Sequence, residues 1–300
     1  MSHLLDKYDK EKNFFSFPFP HIIIENCLDK DLYNLLADNF PNDDSFSPKI
    51  KGENKPYWIT GSNLVNETNN VWADFIKRHI SQQSFDKFVD IIYPYMSDLD
   101  PNMQENLGKD LRNCSFKLAE AGGEKNPRNR ESDIVISISA GINTPTKTKS
   151  TIDPPHADIP QKLFNSLLYM KTDDDDSSGG DLILYQTRNK FFFTSESENL
   201  YEVDKKYLKA IKTVKYSKNV FLLFPHKVNA IHGVTARGPT IHRRQYININ
   251  MESYILKRSA FYKAPRSLFG RIKFALRKIP FVRRLRDMMK LLWSFVRSKK

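Results

Sequence analysis

Cysteine and glycine are scarce in this sequence. Its 300 residues include two cysteines, Cys27 and Cys114, and 11 glycines. Two cysteines cannot form a disulfide framework or a cysteine-based zinc site, and so little glycine excludes a collagen-like or low-complexity chain. The sequence therefore indicates a protein of a reducing compartment.

Long apolar segments are also missing. No apolar run approaches the roughly 20 residues that a transmembrane helix needs, and the N-terminal residues lack the charged start and apolar centre of a signal peptide. At the same time, 40% of the residues are hydrophobic, which is typical of a globular chain. We expect a cytoplasmic protein with a flexible N-terminus at 1–16 and a folded domain at 17–256.

Positive charge is concentrated at the C-terminal end. Residues 257–300 contain fifteen Lys or Arg and one acidic residue, Asp287, so this segment carries +14 and the rest of the chain −2. Apolar spacings of three and four predict basic amphipathic helices at 267–279 and 281–297. Such a tail favours peripheral binding to an anionic inner-membrane surface or to an acidic partner. Docking on the domain is the alternative, and nucleic acid is disfavoured because the charge is not spread over a folded face. Deletion of 267–300 is expected to abolish sedimentation with anionic liposomes.

Helical periodicity comes first along the chain, and strand-like segments follow it. Apolar residues at helical spacing predict helices at 29–39, 72–80 and 84–96, while the stretch between 41 and 70 is polar and aperiodic. Runs rich in β-branched and aromatic residues then predict strands at 114–119, 134–140, 163–171, 182–187, 191–194, 220–225 and 246–251. Short strands without intervening helices favour a sandwich or jelly roll, so the expected fold class is α+β, with N-terminal helices buttressing one sheet.

His156 and Asp158 form the first half of a candidate metal site. On an extended strand, residues two positions apart point to the same face, so this imidazole and this carboxylate lie side by side. A third ligand from another strand would complete the two-histidine, one-carboxylate set that holds non-haem Fe(II) and leaves open positions.

The region after the apolar strand 220–225 offers that third ligand and an anion-binding group. His232 follows the strand after a short loop, and Arg244 opens a later strand on which Tyr246 shares its face. An inward arginine is costly unless it meets an anion, and its planar guanidinium suits a carboxylate. These residues therefore predict a metal site beside a binding site for a dicarboxylic acid.

Taken in order across about 110–252, these motifs resemble those of the 2-oxoglutarate/Fe(II)-dependent oxygenase superfamily, prolyl-4-hydroxylase-like branch. The motifs that carry the resemblance are His156-Ala157-Asp158, the strand ending in Leu168-Tyr169, the turn Gly179-Gly180-Asp181-Leu182, Phe224-Pro225, and His232-Gly233-Val234. The resemblance implies a double-stranded β-helix (jelly-roll) core.

The resemblance also implies the roles of the site residues. His156, Asp158 and His232 would be the catalytic metal ligands for Fe(II), and Arg244 with Tyr169 would bind the cosubstrate 2-oxoglutarate. The basic residue lies about ten positions after the distal histidine in relatives, so Arg243 is an alternative anchor to Arg244. The implied reaction hydroxylates a small-molecule or peptidyl substrate with O2 and releases succinate and CO2, with ascorbate as a further candidate cofactor.

Two other functions fit the same residues. One is a non-catalytic jelly-roll adaptor recruited to membranes by its tail, and the other is a cupin-like metalloenzyme that does not use 2-oxoglutarate. An intact ligand triad argues against the first, and a dicarboxylate anchor argues against the second. Among the other histidines, His226 and His242 are candidates for contacts around the site, whereas His21 and His79 are interpreted as structural.

Overall fold

The computed structural model describes residues 2–46, 50–67, 70–95, 103–152, 154–196 and 200–256. The predicted tail at 257–300, with its helices at 267–279 and 281–297, lies outside these residues. No helix in the described ranges is long and apolar enough to cross a membrane.

Helices dominate the N-terminal part of the described chain. Of the predicted helices, 29–39 and 72–80 match the observed helices α2 (Lys30–Asp38) and α5 (Asn70–His79) closely, and the third, α6 (Gln82–Ile92), ends earlier than predicted. The α6 helix begins at a side-chain cap, because the Ser81 hydroxyl accepts a hydrogen bond from the backbone N–H of Ser84. The helices are α1 (Lys10–Asn13), α2 (Lys30–Asp38), α3 (Asp43–Phe46), α4 (Gly61–Glu67), α5 (Asn70–His79), α6 (Gln82–Ile92) and α7 (Met103–Leu107).

Strands dominate the remainder, which confirms the α+β class. They are β1 (Phe14–Phe15), β2 (His21–Glu25), β3 (Pro56–Thr60), β4 (Phe116–Leu118), β5 (Ile134–Asn143), β6 (His156–Asp158), β7 (Lys162–Tyr169), β8 (Leu182–Thr187), β9 (Phe193–Glu196), β10 (Leu200–Val203), β11 (Leu208–Val214), β12 (Val220–Pro225), β13 (His232–Val234) and β14 (Arg244–Glu252).

The strands form two sheets. The larger has the order β1-β2-β12-β7-β14-β5-β3, with β4 beside β5, and the smaller has the order β11-β8-β13-β6-β10-β9. Successive strands from β5 to β8 alternate between the two sheets, and so do β12, β13 and β14. This alternation of antiparallel strands is consistent with a jelly roll.

The helices pack against the larger sheet. Ile247 and Ile249 of β14 point away from the space between the sheets, and there they join the apolar residues of α5 and α6, such as Phe75 and Phe88, in the main core. Both isoleucines are almost fully buried because helices cover this face. The opposite face of the larger sheet is therefore free to build a site with the smaller sheet.

The first residues of the chain are anchored, contrary to the expected flexible N-terminus at 1–16. Leu4 and Leu5 are buried in the main core, and the ring of His3 stacks on that of His79 with centroids 4.4 Å apart. The backbone N–H of Leu4 donates to Nε2 of His79, at 3.3 Å. The short apolar pair fixes this segment against α5 and α6 despite its polar neighbours, and His79 is structural as expected.

The strands β3, β10 and β11 are among those that were not predicted from the sequence. The β3 strand lies in the polar stretch between 41 and 70, and β10 has only four residues. The β11 strand is largely exposed and rich in lysine, so its hydrophobic alternation is weak. Each is fixed by pairing with a neighbouring strand, which a local pattern cannot reveal.

Candidate metal and cosubstrate site

The smaller sheet brings the three predicted metal ligands together. His156 and Asp158 occupy the two ends of β6, so their side chains share one face. His232 begins β13, and its partner in the antiparallel register is His156. The two imidazole rings consequently lie with centroids 4.4 Å apart, although 75 residues separate them in sequence.

The ligand atoms converge on one point. Nε2 of His156 lies 3.7 Å from Oδ1 of Asp158, and Nε2 of His232 lies 3.8 Å from Oδ2 of the same carboxylate. One ligand atom from each of the three residues can be chosen so that all lie within 4.8 Å of one another. Both histidines are buried, and the Asp158 side chain is only 13% exposed. Such a cluster can hold a metal ion.

Backbone carbonyls set the tautomer of both histidines. Nδ1 of His156 lies 2.7 Å from the carbonyl of Pro154, and Nδ1 of His232 lies 3.2 Å from the carbonyl of Ala230. Because a carbonyl oxygen only accepts, each Nδ1 carries the proton, and each Nε2 lone pair is directed to the cluster. This arrangement orients the imidazoles as metal ligands.

The protonation states also suit a metal. Burial, together with the neighbouring His156, lowers the pKa of His232 to about 3, so this imidazole is neutral at pH 7. Burial alone would raise the pKa of Asp158, but Lys162 and the two histidines hold it below its ordinary value. Neutral imidazoles and an ionised carboxylate are the forms that bind metals.

Arg244 lies inside the space between the sheets. It is 3% exposed and opens β14. Its Nε donates to the carbonyl of Gly180 at 2.8 Å, and its Nη1 donates to Oδ1 of Asn143 at 3.2 Å. The guanidinium carbon lies 4.9–5.4 Å from the ring centroids of three tyrosines, Tyr169, Tyr216 and Tyr246. These contacts fix the orientation of a buried cation that forms no salt bridge with a carboxylate of the described residues.

Tyr169 lies beside Arg244 as predicted. Its hydroxyl accepts a hydrogen bond from the backbone N–H of Leu182 at 3.2 Å. Burial raises the pKa of the Tyr169 phenol, and the Arg244 charge opposes that rise. The phenol therefore stays protonated at pH 7 and is able to donate a hydrogen bond.

Strand β8 links this pair to the triad. His232 is the cross-strand partner of Leu184, whereas Tyr169 bonds to the backbone of Leu182, two residues away on the same strand. Two residues of strand span about 7 Å. His232 and Tyr169 therefore both contact a three-residue segment of β8, Leu182 to Leu184.

Arg243 is directed elsewhere. Its guanidinium pairs with Asp43 of α3, and its side chain is 23% exposed. Consecutive residues of a strand point to opposite faces, so only one of the two arginines can face the site. The structure brings Arg244 to Tyr169 and does not bring Arg243 there.

Several residues around the site were missed at the sequence level. Asn143 is the cross-strand partner of Arg244, and Lys162 pairs with Asp158 at 3.3 Å. Arg237 is fully buried and donates to backbone carbonyls of Thr144 and His242, which ties the loop before β14 to the end of β5. No sequence motif marks these residues. The position of Lys162, four residues after Asp158 across a tight turn, was the one available signal.

The two histidines considered as secondary contacts differ in position. His226 is buried close to Asp158, and burial lowers its pKa to about 4. His242 lies nearer the surface, with Nε2 3.7 Å from the exposed carboxylate of Asp176. His226 is thus part of the surroundings of the triad, and His242 faces the acidic loop.

No family profile and no curated protein match the sequence, whereas solved structures do. A prolyl 4-hydroxylase from Phytophthora capsici is 13% identical, with a TM-score of 0.40, over 78% of this chain and 58% of that one, so this chain spans less than two thirds of its length. A Pseudomonas putida prolyl-4-hydroxylase is 11% identical, with a TM-score of 0.38, over 82% and 95% of the two chains. A putative oxygenase from Shewanella oneidensis is 10% identical, with a TM-score of 0.44, over 86% and 90%.

Proposed function

We propose that this chain is an Fe(II)- and 2-oxoglutarate-dependent dioxygenase with a double-stranded β-helix core. It would hydroxylate a C–H bond of a small-molecule or peptidyl substrate and release succinate and CO2. The observation that carries the proposal is the buried cluster of His156, Asp158 and His232, together with the buried Arg244 guanidinium beside Tyr169, which contacts the same strand, β8, as His232.

The donor set fits iron. Two neutral imidazoles and one carboxylate form the set that binds non-haem Fe(II) while leaving positions open. His156 and His232 would each bind it through Nε2, because each Nδ1 is committed to a backbone carbonyl. When bound, the iron supplies the oxygen chemistry for which no side chain suffices.

Arg244 and Tyr169 would bind the far carboxylate of 2-oxoglutarate. The guanidinium is already oriented by Gly180 and Asn143, so little ordering remains when a carboxylate arrives. Tyr169 can donate its hydroxyl proton to the same carboxylate, since its oxygen accepts from Leu182. A cupin-like metalloenzyme without 2-oxoglutarate needs no such anchor, and an adaptor needs no ligand triad.

Apolar residues would exclude water from the space between the triad and the anchor. Leu182, Leu184 and Phe224 belong to the same buried cluster as Tyr169 and Tyr246. The ring of Phe224 also meets that of His232 edge-on, with centroids 5.0 Å apart. The exclusion of water would strengthen the attraction between Arg244 and a carboxylate, because water would otherwise screen the two charges.

The proposal extends to the surroundings of the enzyme. Ascorbate is the expected auxiliary reductant, and a cytoplasmic enzyme held at an anionic membrane surface by residues 257–300 is the proposed location. The latter rests on the charge of that segment alone.

Succinate formation tests the proposal directly. The purified chain is expected to bind Fe(II) and to convert 2-oxoglutarate to succinate in air. Without a substrate to hydroxylate, the conversion is expected to be slow and to need ascorbate, which supplies the two electrons that the substrate would otherwise provide. Asp158→Ala removes a ligand, and we expect at least about a 100-fold loss, because even partners of ligands are worth 10–100-fold. Asp173→Ala is the matched control, since that carboxylate is exposed and pairs with Lys218. Equal succinate yields from wild type and Asp158→Ala would contradict the proposal.

A further inference from the structure

Lys162 reaches the candidate metal ligand Asp158 from the next strand along the chain, which belongs to the other sheet. It is the first residue of β7, and its backbone N–H donates to the carbonyl of Ile159, which closes a tight turn after β6. This turn brings Nζ of Lys162 to 3.3 Å from Oδ2 of Asp158. The Lys162 side chain is 18% exposed, so its charge lies mostly out of water.

A second carboxylate faces the same lysine. Glu252 is the cross-strand partner of Lys162 on β14 and is 6% exposed. The charges of Lys162 and Glu252 attract each other, and the hydroxyl of Tyr254 donates to Oε2 of Glu252. A buried lysine is costly unless it is paired. The ion pair with Asp158 and the attraction of the nearby Glu252 therefore restrict where the ammonium group of Lys162 can lie.

We infer that Lys162 is a positioning residue that keeps Asp158 bound to the metal through one oxygen. Lys162 engages Oδ2, so the ion would bind through Oδ1, the oxygen that faces Nε2 of His156. Glu252 attracts the ammonium group of Lys162 from the facing position on β14, and Tyr254 donates a hydrogen bond to Glu252. The inference rests on the proposed function, since it concerns the ligand set of that site.

The number of open metal positions gives this contact a function. Two imidazoles and a one-oxygen carboxylate use half of the positions of an octahedral ion. A 2-oxoglutarate that binds through two oxygens needs two of the others, and O2 needs the last. A second oxygen from Asp158 would take one of these positions, and it would compete with the cosubstrate.

Co(II) is a suitable probe because its visible absorption reports the number of ligands around it. The variant Lys162→Met keeps the length of the side chain and removes its charge. We expect this variant to bind Co(II) at least as tightly as wild type, because a competing cation has gone. We expect an altered Co(II) spectrum before 2-oxoglutarate is added, and an affinity of the Co(II)-loaded protein for 2-oxoglutarate that is about tenfold weaker.

Three further variants complete the experiment. Lys162→Arg restores the charge and is expected to restore both readouts. Glu252→Gln removes the second carboxylate that faces Lys162. It is expected to change the Co(II) spectrum and the affinity for 2-oxoglutarate in the same direction as Lys162→Met does, but by less. Lys209→Met is the matched control, because Lys209 is an exposed lysine of the edge strand β11, and β8 separates that strand from the triad strands β13 and β6.

Each outcome decides between the two claims. If Lys162→Met has the wild-type Co(II) spectrum and the wild-type affinity for 2-oxoglutarate, the role of Lys162 is overturned but the proposed function is not. The same holds if Lys162→Met loses Co(II) binding and 2-oxoglutarate binding together and has a lowered Tm. If Lys162→Met does not fold, unchanged readouts in Glu252→Gln overturn the inference. A wild-type chain that binds no Co(II) would overturn the proposed function as well.

Discussion

Replacing Arg244 is the most informative perturbation of this site. The variant Arg244→Met keeps an unbranched side chain in the buried space but removes the guanidinium. The two protein acceptors of that group, the carbonyl of Gly180 and the side chain of Asn143, lose a donor. The cavity also loses a buried charge, whose removal offsets part of this cost. We therefore expect a folded variant that binds 2-oxoglutarate poorly.

The size of the effect follows from the hydrogen bonds that are lost. A guanidinium can offer two donors to one carboxylate, and a hydrogen bond to a charged group is worth about 1.5–3 kcal/mol. Two such bonds at the lower end amount to about 3 kcal/mol, which is about 100-fold in Kd. Arg244→Lys keeps the charge but not the planar fork, so an intermediate loss is expected.

Titration calorimetry of the metal-loaded protein with 2-oxoglutarate measures this loss. Arg243→Met is the matched control, because the neighbouring arginine pairs with Asp43 at the surface. It is expected to leave the Kd for 2-oxoglutarate unchanged. The reasoning would be refuted if Arg244→Met kept wild-type affinity, or if Arg243→Met caused the larger loss.

Two further predictions concern stability and packing. Burial lowers the pKa of His79 to about 4, from 6.5 in the unfolded chain. Between pH 6.5 and pH 4 the unfolded state therefore binds more protons than the folded state. The stability that neutral His79 allows above pH 6.5 is consequently lost as the pH falls through this range. From pH 7 to pH 5, this effect of His79 should lower the free energy of unfolding, measured with urea, by about 2 kcal/mol. The variant His79→Gln should make the free energy of unfolding less dependent on pH, and an unchanged pH dependence would contradict the assignment. In Gly141→Ala, the new Cβ would lie 2.3 Å from Cε2 of Tyr246, so the ring must move from its place beside Arg244. We expect weaker 2-oxoglutarate binding and a free energy of unfolding lower by about 1–3 kcal/mol, and calorimetry showing wild-type affinity would argue against this coupling.

Local sequence patterns were sufficient for the residues whose orientation depends on one strand. The spacing of His156 and Asp158 places both side chains on one face of any extended segment. The same alternation, applied to β14, separates Arg244 and Tyr246 from Ile247 and Ile249, and in the structure the first pair lies between the sheets while the isoleucines lie in the main core.

Contacts between distant segments could not be derived in this way. The sequence offered His232 as a ligand through its position after the strand 220–225 and its resemblance to known motifs, but nothing local shows that β13 pairs with β6 in this register. The expected flexible N-terminus was wrong for the same reason, since Leu4 is buried by helices that begin much later in the chain.

What the sequence by itself determined is the set of side chains available to the site and the face of the strand on which each lies, because side-chain direction follows from backbone geometry. What only the tertiary structure decided is which strands are neighbours and in what register. That register brings His232 opposite His156 and Asn143 opposite Arg244, and the turn after β6 brings Lys162 to Asp158. These pairings depend on the packing of the whole core, and therefore no single segment of the sequence contains them.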